Sequence, residues 1–566
     1  MSFQNINVPN PSTVIGTDSI PTTLQKINTA FSSLAAVSQS GSYSDLLNLP
    51  PTSTALYAGG KPRSDADRFR DYIIVDDFSD GSGSAANDDV AINAALALAQ
   101  AHPEKIVLFT RDFKVLTEKT ITSPCHIASV AHGIERVPLI GAKLLPQGPM
   151  RSVFNVLSDG VTFENLLTYG PGNPGQILDF TKTQLNCADG PDSFIRVETS
   201  GRDGYVRVLN LQAYGYPIII DWIDGIRPYF DGIRATQCGL AMNFRNNGLD
   251  GVIKNVANDY GAALKTTVDR TRTGLGPAGG QQQMEGTAFY SVRCSETVTP
   301  AFGYKYPGIW VRGGLALRFY DPQPQQRYFT DAFLLDGSTE VINNVDIFGM
   351  YADCQTSSGT NLGSWNASTN SPALSDASIP ASGSFYTVTV AGGTAVAGAS
   401  SWNVGDTIRS IGSKWIRVPN AVLTGLNITG HVIGARLFGA DMNGFSGYAC
   451  VVSGTNSTAQ VYQFALNGLH GFSNTKGELL AANCTGTVVA CAFNSSVGVY
   501  EVTNSTIAGF GNFFQTAAQQ LSNSSNWLSS QGPGAPVGIP SAANSGGLPR
   551  GSFYYDTSGA VKITGV

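Results

Sequence analysis

The sequence predicts an all-β chain wound as a parallel β-solenoid, and three observations carry that reading. First, short runs alternate apolar and polar residues, the period of a strand with one face buried. The runs are VRVLNLQAYG (206–215), FDGIRATQCG (230–239), IKNVANDYGA (253–262), FYSVRCSETV (289–298), LALRFYDPQ (315–323) and VINNVDIFGM (341–350). Second, they recur about every 22 to 25 residues, except where a long polar excursion intervenes. A fixed period without helical patterning marks stacked coils that can bury an apolar face only against each other. Third, charged residues are only 13% of the 566, well below the usual quarter, while glycines number 64.

Aligned on their apolar positions, the coils stack Leu211, Ile233, Val256, Val292, Leu317 and Val345 inward. The next residues, Gln212, Arg234, Ala257, Arg293, Arg318 and Asp346, then point outward. Two further along come Tyr214, Thr236, Asp259, Ser295, Phe319 or Tyr320, and Phe348. Arginines stacked beside exposed aromatics read as a binding surface; an ordinary charged face with local ion pairs is the alternative.

Taken in order, residues 1–65 form a polar attachment and linker segment with one short apolar helical stripe at Leu24, Ile27, Ala30, Phe31 and Leu34. That stripe suits docking onto a larger assembly. The solenoid is expected over 66–365. Its start, DYIIVDDFSDGSGSAANDDVAINAALALAQ (71–100), reads as a strand, a Gly-Ser loop and a helix. Asn87 or Asp88 is the expected N-cap, and Ile92, Ala95, Leu96 and Ala99 the buried stripe. The acids there read as turn and cap residues. Residues 366–419 are expected to form a small β module, 420–515 a second solenoid or an interdigitated stem with few charges, and 516–566 a C-terminal tail.

These segments also resemble known proteins. Val75, Asp76, Asp77, Phe78, Asp80, Gly81, Asn87, Asp88, Asp89, Ala91 and Ile92 resemble the loop and capping helix that open pectate-lyase-like right-handed β-helices. SGSYSDLLNLP (40–50) is similar to a linker of bacteriophage and prophage tail fibres, and GTDSIPTTLQKINTAFSSL (16–34) to their opening segment. The 386–418 stretch resembles a small tail-fibre module through Gly392, Gly393, Gly398, Trp402, Gly405, Asp406, Gly412, Trp415 and Val418, and GLPRGSFYYDTSGAVKITGV resembles their usual ending. The resemblance covers about 140 residues spread from end to end. It implies a phage tailspike: a right-handed parallel β-helix, homotrimeric, held to the phage tail or baseplate by its N-terminus, that binds and depolymerises a bacterial capsule, exopolysaccharide or O-antigen. Its place would be the virion, after synthesis in the bacterial cytoplasm.

Composition narrows the partners. A net charge of −6 argues against nucleic acid, and no apolar run reaches membrane-spanning length or forms a signal peptide, so membrane insertion is not expected. The eight cysteines show no metal spacing and demand no disulfides; Cys238 and Cys294 read as small buried hydrophobes. No cofactor or metal is expected, since no Asp cluster has ligand spacing.

Chain cleavage needs one of two arrangements. A hydrolase needs two carboxylates, about 5–5.5 Å apart for retention or about 6.5–9.5 Å for inversion. A lyase needs cations on a uronate carboxylate and a base for the neighbouring proton. The expected catalytic residues are Asp231, Asp259, Arg293, Arg318, Tyr320 and Asp346, with Asp221 and Asp224 as a reserve pair. In this register Asp259 and Asp346 lie three coils apart, roughly 14 Å, too far to act together. His431 and His470 read as surface or core residues. Expected substrate contacts are Tyr214, Arg234, Tyr304, Tyr306, Trp310 and Arg312, because sugar faces stack on aromatics and Arg donates to hydroxyls and carboxylates. The Gly-rich excursion 266–286, with Asp269, Arg270 and Arg272, would wall the groove. Two rivals remain: a receptor-binding fibre of the same fold without chemistry, and a secreted pectate-lyase-like enzyme.

Overall fold

The computed structural model describes residues 71–130, 141–199, 205–246, 248–268, 284–295, 301–325, 331–354, 360–381, 384–410, 414–418, 424–455, 459–472 and 477–493, with short further stretches near both ends. The N-terminal helical stripe and Asp269, Arg270 and Arg272 lie outside the described residues. The chain winds as a parallel β-helix, as the repeat predicts. Thirty-one of the described strands join one sheet whose coil-to-coil pairings are all parallel, and parallel crossovers are right-handed in nearly all proteins. One continuous apolar cluster runs up the inside from Ile73 to Ile507.

Each coil bends at the same place. Asn165, Asn210, Gly232, Asn255, Ser291, Asp321, Gly349, Gly439, Gly468 and Ala490 follow residues paired coil to coil, and every one has φ between 50° and 75°. Asn and Gly dominate this column because they accept left-handed backbone most cheaply. The amides also bond along it: Asn210 Nδ2 donates to Asn165 Oδ1 at 2.7 Å.

The bend uses up one residue of the strand alternation, and this corrects the predicted register. Leu211, Ile233, Val256 and Val292 pair as expected. Above them Arg293 pairs with Gln323, while Arg318 pairs with Ala288 and Asp346. Leu317 and Val345 are buried, but before the bend rather than after it. Apolar positions fall on even offsets before the bend and odd offsets after it, so a five-residue misalignment still looks regular.

The N-terminal end is closed by the helix Ala85–Ala101. Its N-cap is Ser84, whose Oγ accepts from Asn87 N, rather than Asn87 or Asp88. Asn87 donates instead to Ser79 Oγ at 2.8 Å, and Asp88 accepts from Arg111 Nη2 at 2.9 Å. Asp89 accepts from the backbone N–H groups of Leu116 and Thr117 and pairs with the buried Lys119. The acids are structural, and Ile92, Ala95, Leu96 and Ala99 are buried as predicted.

Strands Asn361–Asn366, Phe385–Val390, Thr407–Ser410 and Trp415–Val418 form a separate four-stranded sheet with its own core around Trp365, Trp402 and Trp415. It interrupts the solenoid without ending it. Asp331–Asp353 pairs in parallel with Thr424–Asn443, so the strands after residue 424 extend the first stack instead of starting a second one. All eight cysteines are buried thiols that form no disulfide with one another.

Candidate functional site

The predicted patch divides across the bend. On one side lie Gln212, Arg234, Ala257, Arg293 and Gln323 in one column, with Tyr214, Thr236, Asp259 and Ser295 beside it. Tyr214 stacks on Tyr169 of the coil below at 4.5 Å and 8°, and accepts a hydrogen bond from Gln212. Arg234 Nη2 stands 3.9 Å from Asp259 Oδ2, and Ser295 Oγ donates to Asp259 Oδ1 at 3.1 Å. Arg234 Nε and Nη1 are buried and have no hydrogen-bond partner among the described residues. Arg293 is exposed.

On the other side of the bend lie Arg318, Asp346 and Arg436, one above another. Arg436 grips Asp346 through Nε at 2.6 Å and Nη2 at 3.0 Å. Next to them Tyr290, Tyr320, Phe348 and Phe438 stack face to face, 4.7–5.0 Å between centroids. Rings stacked this closely offer edges, not faces, to solvent. Asp231 sits in this aromatic column and accepts from Asn255 Nδ2 at 2.8 Å. The six expected catalytic residues are therefore split into two groups. Asp259 and Asp346 are separated along the strands as well as by three coils, and Asp231 lies before the bend while Asp259 lies after it.

A third surface occupies the next face of the solenoid. Strands Pro191–Glu198, Ile218–Asp224, Leu240–Phe244, Ala262–Thr266 and Ile309–Val311 stack Arg196, Asp221, Asn243, Lys265 and Trp310 in one column. Asp221 accepts from Asn243 Nδ2 at 2.8 Å and from Arg245 Nε and Nη2 at 2.9 and 3.1 Å. Arg196 pairs with Glu198 at 2.8 Å. Arg312 Nε lies 3.1 Å from Asp336 Oδ2 without hydrogen-bond geometry, so that contact is an ion pair.

The excursion 171–190 packs its Leu178, Phe180 and Leu185 on Ile218, Leu240 and Ala262 and walls this column. Phe180 O accepts from Lys265 Nζ. Trp310 is nearly buried: its indole N–H donates to Asp336 Oδ2 at 3.3 Å, and Lys265 and Arg312 stand 5.2 and 5.0 Å from its ring centre. Tyr306 stacks on Trp310 at 5.5 Å and donates to Asp179 Oδ1 at 3.2 Å. Tyr304, an expected sugar contact, is fully buried and donates to Pro307 O at 3.0 Å; it supports the wall and touches no ligand space.

Electrostatics follow from this crowding. Burial, then the neighbouring Arg245 and Arg312, lower the Lys265 ammonium to about 8. Burial also lowers Arg196, with Glu198 opposing it. The carboxylates are occupied: Asp221 by Arg245, Asp336 by Arg312, Asp346 by Arg436 and Asp259 by Ser295 and Arg234. Among the described residues no three His, Cys, Asp or Glu side chains group as a metal site.

Sequence reasoning missed Arg196, Asn243, Arg245 and Lys265. Every residue of Ile218–Asp224, Leu240–Phe244 and Ala262–Thr266 is buried, so these strands show no period-two pattern. The signal present was a charged residue inside a short apolar run just before an excursion.

No family model matches the chain, and no curated protein matches it. Among solved structures it is similar to the catalytic domain of a GH87 alpha-1,3-glucanase, at 12% identity and a TM-score of 0.36 over 84% of this chain and 70% of that one. It is similar to the Dettilon tailspike protein at 10% identity and 0.31, over 82% of this chain and 64% of that one, so it spans under two thirds of that tailspike. It is also similar to bacteriophage CBA120 tailspike protein 3 at 12% and 0.27, over 91% and 70%. The fold is defined by this chain's own parallel strand pairing.

Proposed function

We propose that the chain is a phage or prophage tailspike that binds a bacterial surface polysaccharide and cleaves it at glycosidic bonds. It acts as a homotrimer attached through its N-terminus. The observation that carries this reading is the part-exposed rim above the buried column, where Tyr306 stacks on Trp310 and Arg312 is a quarter exposed. Such a rim suits a sugar unit, with hydroxyls and carboxylates taken by the guanidinium and a ring face by the aromatic. The tail-fibre-like segments at both ends support attachment to a phage tail. Incubation with purified surface polysaccharide from candidate hosts tests it. New reducing ends alone mean a hydrolase; reducing ends with the ultraviolet absorbance of an unsaturated uronate mean a lyase. No shortening of any polymer that the protein binds would end the enzymatic reading.

One observation favours a second reading, a receptor-binding fibre without turnover. A hydrolase needs two cooperating carboxylates. Yet Asp221, Asp259, Asp336 and Asp346 each face an arginine, and Asp231 faces an amide.

A further inference from the structure

Lys265 is more than nine-tenths buried and, among the described residues, forms no ion pair with any carboxylate. Its ammonium donates to one backbone carbonyl, that of Phe180, and faces the Trp310 ring. Arg245 and Arg312 flank it, and their own carboxylates, Asp221 and Asp336, are spent on them. Burying a charge without a partner is expensive. Two further buried polar atoms in the same column, Asn243 Oδ1 and Arg196 Nε, have no hydrogen-bond partner among the described residues. Arg312, a quarter exposed, and Tyr306 stand at the rim of the column.

We propose that Lys265, with Arg312 at the rim, is a binding site for the carboxylate of an acidic sugar, so that the polysaccharide recognised is anionic. This rests on the polysaccharide-binding reading above. A carboxylate there accepts from the ammonium hydrogens that Phe180 leaves unused and from the Arg312 guanidinium. It supplies the charge that the column lacks.

Two measurements on the full chain test the proposal. The first follows the melting temperature of the wild type and Lys265→Met with glucuronate or glucose at equal concentration. Glucuronate raises the wild-type value, glucose does not, and Lys265→Met loses the rise. Methionine fills the same volume without charge, and replacing a buried cation by an apolar group is often neutral for folding. Arg312→Gln, at the rim, serves as a second variant and reduces the same rise. Equal effects of the two sugars on the wild type, or an undiminished glucuronate effect in Lys265→Met, overturn the proposal.

The second measures binding of a host polysaccharide before and after chemical reduction of its carboxyls to alcohols. Wild type binds the reduced polymer about tenfold more weakly, the loss of one charge-assisted contact, and Lys265→Met shows no such preference. Equal affinity for both polymers overturns the proposal. A glucuronate response with no host polymer bound or cut supports the site and removes the polysaccharide-cleaving reading, so the two failures are distinguishable.

Discussion

A buried ammonium between two guanidiniums makes stability depend on pH. Lys265 faces Arg245, Arg312 and Trp310 on the strand side, with Asp221 and the rim residue Asp179 opposing the arginines. Burial and the two arginines lower its folded value to about 8 from an ordinary 10.5. Between those values the unfolded chain binds more protons than the folded one, so this residue's contribution to stability rises with pH across that window. Several buried thiols act the other way, because burial pushes Cys125 and Cys238 up to about 12. The difference between wild type and Lys265→Met isolates the lysine: Lys265→Met is relatively more stable at pH 7 than at pH 10. Denaturant titrations at the two values check this, and a difference independent of pH would contradict it.

Elements are held by devices that repeat coil by coil or close an end. At the bend, Gly232 has φ +75° with Asn210 Cα at 3.4 Å from where a Cβ would lie. Gly232→Val should cost about 1–2 kcal/mol, the ordinary penalty of a branched residue in left-handed backbone. Ser291→Gly, at φ 51° in the same column, should be neutral or slightly stabilising. Urea midpoints of the two variants, moving in these directions, check the bend as the unit of register. At the capped end, Asp89→Ala removes the partner of buried Lys119 and the acceptor of two backbone N–H groups. A loss of about 3–5 kcal/mol is expected from stranding that charge. Thermal melts followed by circular dichroism read it.

Among the described residues, the solenoid and the inserted sheet have separate cores. The solenoid cluster is continuous from Ile73 to Ile507, while Trp365, Trp402 and Trp415 belong to the inserted sheet alone. Asp406, buried in that sheet, pairs with Arg417 at 2.7 Å, so its polar groups are also satisfied internally. Two cores without shared packing should unfold separately. Calorimetry is expected to show two transitions, and Asp406→Ala should lower only that of the inserted sheet. A single transition shifted as a whole would show the two cores to be coupled.

The sequence alone determined that this chain is a parallel β-helix closed by a helix at its N-terminal end. Stacked coils repeat their apolar pattern, and a period is visible without knowing what each residue touches. Tyr214 and Arg234 were legible as residues of the outward column for the same reason, whereas Trp310, read as part of an excursion, lies nearly buried on the solenoid strand Ile309–Val311. Only the tertiary structure decided the register beyond Val292, since a left-handed residue breaks the parity of the alternation. It alone revealed the column of Arg196, Asp221, Asn243 and Lys265, with Arg245 gripping Asp221 beside it. Those strands are covered on both faces by core and excursion, and residues distant in sequence meet there through the coil spacing, which no local pattern records.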